Sequence, residues 1–482
     1  MTRNQIHRVT LAIFAFSLTM TRASWAQTYE VLVNFDVFNG QGPTTTALIQ
    51  GPDGNFYGTT PSGGAKVNGT VFAVTPSGSL RFLSLSNGAR APEAGLLLGG
   101  NGDFYGTTVA GGQDPKRNFG TVFKLRTGGR FTRLHSFSDG TDGAEPRAPL
   151  IQAVNGKFYG TTSAGGLSSV GGTVYTMNPN GVLSTVHEFC MLNNCADGGA
   201  PYAGLVQAAD GVFYGTTSQG GDTTCTFNES YGCGTVFSVT PAGKFKTLHV
   251  FEGFDGAVPV GGLIQATDGN FYGTTSYGGP NGYANGTVFQ IKPDGTFTTI
   301  YNFCSLPNCT DGAGPIAGLI EATNGNLYGT ASVGGDFGAG TIFEISPQGE
   351  VTTLHSFCSQ PSCTDGEIPS GNLLQATTGK FYGMTQLGGT SVYGTVYSFD
   401  IGLGPFVSLV RATGHVGQAE GILGQGFIGA TGVSFNGTAA SFTVKADTFL
   451  TATVPTGATS GYVTVTTPTG TLTSNKPFIV VP

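Results

Sequence analysis

The chain is patterned as short apolar runs, many of them alternating with polar residues, cut at close intervals by turns that contain glycine. Residues 261–304 show the unit. Gly262-Leu263-Ile264-Gln265-Ala266 reads as a short strand, and Asp268-Gly269 supplies the two-residue turn of a hairpin. Asn270-Phe271-Tyr272-Gly273-Thr274-Thr275 follows as a second strand. After a Gly-Gly loop, Gly286-Thr287-Val288-Phe289-Gln290-Ile291 alternates with period two, which predicts a third strand. Pro293-Asp294-Gly295 turns the chain, because Pro presets one turn position and Gly permits positive φ at another. Phe297 to Phe303 is the predicted fourth strand.

This unit recurs. Its Tyr-Gly pair stands at Tyr57, Tyr105, Tyr159, Tyr214, Tyr272, Tyr328 and Tyr382, with spacings of 48, 54, 55, 58, 56 and 54 residues. A unit of that length cannot bury its apolar face alone, so neighbours must cover it. Four antiparallel strands at this period match a propeller blade. The third strand occurs seven times, from Gly69-Thr70-Val71-Phe72 to Gly394-Thr395-Val396-Tyr397. The fourth strand follows only the first six of these. Its missing copy, Tyr29 to Phe35, precedes the first repeat, as expected if one N-terminal strand closes a ring and removes both sheet edges. The predicted fold is therefore all-β: a seven-bladed β-propeller over 27–401, closed by its N-terminal strand. In such a meander the tight Asp/Asn-Gly and Pro-x-Gly turns share one face. The loops of variable length share the other, with all the cysteines.

Composition changes the picture in two ways. Gly numbers 80 of 482 residues and only 10% are charged, so paired-charge helices are scarce. Residues 1–26 read as a signal peptide: Arg3 and Arg8, an apolar run from Val9 to Met20, then Ser24-Trp25-Ala26. Without Arg3, Arg8 and Arg22, 18 basic residues remain against 28 acidic, a net charge of −10. No basic patch for nucleic acid or an anionic membrane is expected, nor a membrane span after signal cleavage. The expected product is a monomer, secreted or periplasmic. In that setting Cys190/Cys195, Cys225/Cys233, Cys304/Cys309 and Cys358/Cys363 read as four local disulfides. A zinc site would need four ligands, and no His or second Cys pair stands beside them within a repeat.

Gly-Leu-Ile-Gln (262–265), Asn-Phe-Tyr-Gly-Thr-Thr (270–275), Gly-Gly (278–279) and Gly-Thr-Val-Phe (286–289) recur through the repeats, which resemble the choice-of-anchor tandem repeat GloVer-containing proteins. The resemblance implies an exported bacterial protein with no established activity. Past Pro405 the repeat stops. Gly424-Gln425-Gly426-Phe427, Val433 to Ala440, and Val454-Pro455 with Gly461 to Val465 are spaced as strand, turn, strand. Residues 405–482 resemble the IPT/TIG family, which implies an immunoglobulin-like β-sandwich used as spacer or binding module.

Candidate chemistry is sparse. His135, His187, His249 and His355 share one position of the fourth strand, but equivalent rim positions cannot converge on one metal ion. Asp142, Asp197, Asp255, Asp311 and Asp365 each precede Gly in the blade-to-blade loops, as turn carboxylates or as a cation- or polyol-binding set. The Phe of each Phe-Tyr pair reads as packing, while the Tyr is open to a sugar-stacking role. The longest loop, Ser218 to Cys233, carries Asp222, Glu229 and Tyr231, which with the five aspartates are the candidate ligand face. No nucleophile elbow, phosphate loop or metalloprotease motif occurs, so no catalytic residue, metal or cofactor is assigned. The expected function is non-catalytic binding or scaffolding outside the cytoplasm, with an unknown glycan or protein ligand. The alternative is a carbohydrate-active propeller enzyme, marked by a cluster of carboxylates at the channel mouth without counterpart in other blades.

Overall fold

The computed structural model describes residues 27–481, except 44–46, 66, 84, 86–87, 114–117, 169–170, 223, 228–229 and 283. The expected signal peptide lies outside the described residues. The described chain is all-β, with three short 3-10 turns at Asn193–Cys195, Pro307–Cys309 and Pro361–Cys363. Each Tyr-Gly copy lies in its own antiparallel sheet, in the strand order the sequence implies. In the fifth, Ile264–Gln265, Phe271–Thr275, Thr287–Ile291 and Phe297–Asn302 pair in succession. In the last, the outer place is filled by Thr28–Asn34, which pairs with Thr395–Asp400 from Thr28↔Asp400 to Asn34↔Thr395.

The last five positions of the recurring hexapeptide each have a packing reason. Its Phe lies against the Tyr of the preceding sheet, as Phe104 does on Tyr57 (centroids 4.2 Å) and Phe213 on Tyr159 (4.2 Å). The Tyr is equally buried, and its hydroxyl reaches the tight turn; Tyr272 donates to Asp268 at 2.8 Å. The Gly leaves room for the third-strand aromatic: a Cβ at Gly273 would meet the Phe289 ring at 2.6 Å. The first Thr reaches the next sheet, as Thr274 does to the Ala317 carbonyl at 2.8 Å. The second ties strands together through Thr275 and Thr287, 2.9 Å apart. Buried hydroxyls are costly unless bonded, so these two threonines fix both the sheet and its neighbour.

The seventh sheet meets the first by the same contacts. Phe56 packs on Tyr382 at 3.9 Å, and Gln50 Oε1 accepts the Thr377 N–H at 3.0 Å. Val33, Phe35, Leu48, Phe56, Tyr382 and Val396 share one core cluster. Tyr29 stacks on His355 (4.1 Å, 6°) just as Phe297, the first outer-strand residue of the fifth sheet, stacks on His249 (3.7 Å, 3°).

The C-terminal segment forms two four-stranded sheets face to face. One holds Ser408–Leu409, Ala419–Leu423, Phe449–Thr453 and Phe442–Ala446; the other holds Thr438–Ala439, Gly432–Phe435, Val463–Thr467 and Gly470–Thr473. Ile422 and Leu450 from the first meet Phe435, Val463 and Val465 from the second in one core. Gly424 to Phe427, expected within a strand, is instead the connection between the sheets. It buries Phe427, whose N–H bonds the Asp447 carbonyl at 2.9 Å.

Candidate functional site

All four cysteine pairs are disulfides. Three close the blade-to-blade loops in which the candidate aspartates sit. The aspartates and the fourth-strand histidines, separate in the sequence, meet in the fold: His135–Asp142 (3.1 Å), His187–Asp197 (3.7 Å), His249–Asp255 (2.8 Å) and His355–Asp365 (3.6 Å). Where Tyr301 replaces His, its hydroxyl donates to Asp311 at 2.7 Å. Each carboxylate also accepts backbone N–H groups of its own loop. Asp311 takes those of Ser305 (2.9 Å) and Leu306 (3.2 Å), and Asp365 those of Ser359 (2.9 Å) and Gln360 (3.2 Å). Asp197, Asp255, Asp311 and Asp365 are buried. Burial alone would raise Asp142 and Asp197, but the nearby imidazoles of His135 and His187 and the loop's hydrogen bonds outweigh it and hold both carboxyls below their ordinary value. Burial lowers His355, with Asp365 opposing. The five aspartates thus brace their own loops.

Among the other candidates, Asp222 caps its own loop by accepting Thr224 N–H and Oγ1–H, both at 2.8 Å. Glu229 lies outside the described residues, as does the side chain of Tyr231. The tyrosines of the repeat are buried between sheets, which removes them from any sugar-stacking surface. Among the described residues no three His, Cys, Asp or Glu side chains form a group able to hold a metal ion, and no helix is long and apolar enough to cross a membrane.

The repeat breaks at the centre. A cavity of about 310 Å³ is walled by residues of every sheet, among them Leu48, Leu96, Pro149, Leu205, Leu263, Ile316 and Asn372. On the long-loop side, the residue after the proline that precedes each inner strand is Glu93, Arg147, Tyr202, Val260 and Ile316 in the second to sixth sheets, and the last four line the cavity. Ser370 of the seventh is buried and donates to the Pro43 carbonyl at 2.9 Å. Acidic, basic, aromatic and aliphatic side chains thus follow one another at one position of the repeat. The threonine bonds described above hold the adjoining backbone, through the carbonyls of Ala94, Ala148, Ala203 and Ala317. Arg147 is the centre of the polar side. It bonds Glu93 of the previous sheet, lies 3.0 Å from Glu145, and places its guanidinium 5.5 Å from the Tyr202 ring centroid. Burial works against its charge, but the two glutamates outweigh burial and hold its pKa above the usual value. Tyr202 is 37% exposed, unlike the buried repeat tyrosines. Val260 and Ile316 make the opposite wall apolar. Motif searching passes over this set; the signal in the sequence is one variable residue in a Pro-x-Ala/Gly that recurs from the second repeat to the seventh.

The Gloeobacter/Verrucomicrobia repeat family matches residues 13–228 and 223–449, and the chain belongs to that family. No curated protein matches it. Among solved structures it is similar to a luciferin-regenerating enzyme (13% identity over 65% of this chain and 92% of that one, TM-score 0.40). It is also similar to a protein assigned as a gluconolactonase (12% identity, 79% and 94%, TM-score 0.42). A third is the extracellular domain of a protein assigned as a hybrid two-component system from B. thetaiotaomicron (9% identity, 95% and 59%, TM-score 0.49).

Proposed function

We propose that this protein is an exported, non-catalytic binding protein: a seven-bladed propeller over 27–401, closed by its N-terminal strand, followed by an IPT/TIG-type immunoglobulin-like domain over 405–482. Its ligand, a glycan or protein segment outside the cytoplasm, enters the central cavity from the long-loop face. The observation that carries this reading is the channel entrance, where Glu93, Arg147, Tyr202, Val260 and Ile316 replace repetition with one distinct surface. Catalytic or recognition groups act singly, so a repeat protein must place them where its copies differ. The volume suits a small ligand or a chain end. Exposed apolar tips on the same loops, among them Phe38, Leu192, Phe254 and Leu306, support this as a contact face. Four disulfides and the leader-like first 26 residues support a secreted or periplasmic location.

The test is a glycan array and a protein pull-down with the mature chain, repeated with Arg147→Ala/Tyr202→Ala and with Asp222→Ala/Glu229→Ala/Tyr231→Ala. Loss of a hit in the channel pair puts the site at the cavity. Loss in the loop triple alone moves it to the Ser218–Cys233 loop, and no loss in either refutes a site on this face. A second reading, glycan cleavage, draws on Glu93 and Glu145, two carboxylates with no counterpart in other repeats. Product release from a bound glycan, abolished by Glu93→Gln or Glu145→Gln, would establish it instead.

A further inference from the structure

The opposite end of the channel carries a second break in repetition. Each inner strand ends in Gln except for Leu98 in the second sheet and Glu321 in the sixth. The glutamines stitch neighbours together: Gln152 accepts the Gly100 N–H (2.9 Å), Gln375 that of Thr323 (3.0 Å), and Gln50 that of Thr377 (3.0 Å). Over this tight-turn face lies the C-terminal sandwich. Leu423, Val410 and Phe449 pack into the cluster that contains Leu98 and Tyr57. Thr448 donates to the Pro52 carbonyl at 2.8 Å, and Gln425 to Thr377 at 2.8 Å. The Arg411 guanidinium covers Gly100, held by the buried Glu420 at 2.8 Å. Across the channel, Lys476 Nζ donates to the Gln265 carbonyl at 3.2 Å, beside the turn whose Thr267 N–H bonds the Glu321 carboxylate at 3.0 Å. The negative charge of Glu321 favours the buried ammonium without a direct ion pair. Contacts on the first, second and seventh sheets together with the fifth and sixth require the sandwich to bridge the central opening.

We propose that the sandwich is a fitted stopper for this end of the channel, and that Leu98 and Glu321 select its rotational register. A repeated face offers several near-equivalent seats, so specificity must come from positions that penalise the wrong ones. Gln in place of Leu98 would bury an amide against Leu423, Val410 and Phe449. Any other seat would place the buried Lys476 ammonium away from the negative field of Glu321. The two exceptions flank the axis: Leu98 meets the apolar part of the sandwich, and Glu321 stands beside the seat of its buried ammonium. The channel is then a blind pocket, open only on the long-loop face, and the C-terminal domain is not a free spacer.

The test is hydrogen exchange and small-angle scattering on the full mature chain, its Leu98→Gln/Glu321→Gln variant, and Lys476→Met. In the parent, the turn at Gly54, where a Cβ would meet Thr448 at 3.0 Å, should exchange on the order of tenfold more slowly than the equivalent turn at Gly156, which has nothing within 4 Å. The double variant restores the repeat residue at both places and should erase most of that difference, while strand amides at Phe56–Thr60 stay protected. Lys476→Met leaves the repeats untouched and should loosen the fifth- and sixth-sheet turns. An extended scattering profile for the parent, or equal exchange at Gly54 and Gly156, overturns the stopper. Unchanged protection in both variants overturns the register key.

Discussion

Replacing Phe56 by Ala tests whether the first and last sheets are true neighbours. Phe56 is 1% exposed and stacks on Tyr382 at 3.9 Å, while Phe104 is fully buried on Tyr57 at 4.2 Å. If the ring is closed the two phenylalanines have the same environment, and each truncation should cost about 3–5 kcal/mol. If the ring opens in solution, one side of Phe56 faces water and its truncation costs about half as much or less. Over the roughly 375 residues of the repeat region, unfolding entropy near 2.1 cal/mol/K per residue gives ~0.8 kcal/mol/K, so a loss of ~4 kcal/mol lowers Tm by about 5 °C. The measurement is calorimetry on Phe56→Ala, Phe104→Ala and Phe213→Ala in parallel. A double-mutant cycle of Phe56→Ala with Tyr382→Ala sharpens it: a buried aromatic pair should show a coupling of about 0.5–1.5 kcal/mol. Coupling indistinguishable from zero, with Phe56→Ala far milder than the other two, refutes closure.

Deleting Gln27 to Asn34 should expose the Thr395–Asp400 edge and drive aggregation at micromolar concentration; a monomeric truncation with unchanged Tm would contradict it. Ser substitution of Cys304 and Cys309 should cost about 2 kcal/mol, because the loop is short, and peptide mapping of the exported protein should recover all four linkages. His355 is disfavoured as a cation in the folded state, so its contribution is complete above an unfolded-state pKa near 6.5 and is lost as pH falls through its lower folded value. His355→Tyr, which copies the pairing of Tyr301 with Asp311, should therefore flatten the stability profile below about pH 6.5, and a parallel loss in both proteins would show that other groups set it.

Local features were legible because local physics dictates them. The period-two Thr287–Ile291 strand and the short cysteine loops need only their own residues, and each stands where the sequence indicates. The hairpin at Asp268-Gly269 also forms, but its turn is centred on Thr267-Asp268, with the Gly269 N–H on the Ala266 carbonyl and Gly269 at φ +84°, rather than being the two-residue turn expected. The pairing of His249 with Asp255 was also within reach, because His or Tyr recurs in step with the loop aspartate. The role of the repeat tyrosines was not legible, since Tyr57 meets a ring 47 residues away that belongs to another sheet. Docking of the sandwich was less legible still. Lys476 and Gln265 stand 211 positions apart, and nothing near either residue signals the other.

The two asymmetric sets lie on the same inner strands, five residues apart. In the second sheet Glu93 stands at the long-loop end and Leu98 at the tight-turn end; in the sixth, Ile316 and Glu321 do the same. Between them runs the framework common to this chain's own repeats, with the Leu at the strand's start buried in each copy. One strand type therefore carries three instructions: what the entrance presents, how the sheet packs, and what the far end accepts. Because packing is fixed by the middle residues and by threonines reaching in from the neighbouring sheet, the two ends are free to differ without straining the fold. A repeat built this way can acquire one distinct pocket and one distinct lid by single substitutions at either end. On this reasoning the binding proposed for this protein draws on its central axis rather than on its recurring hexapeptide.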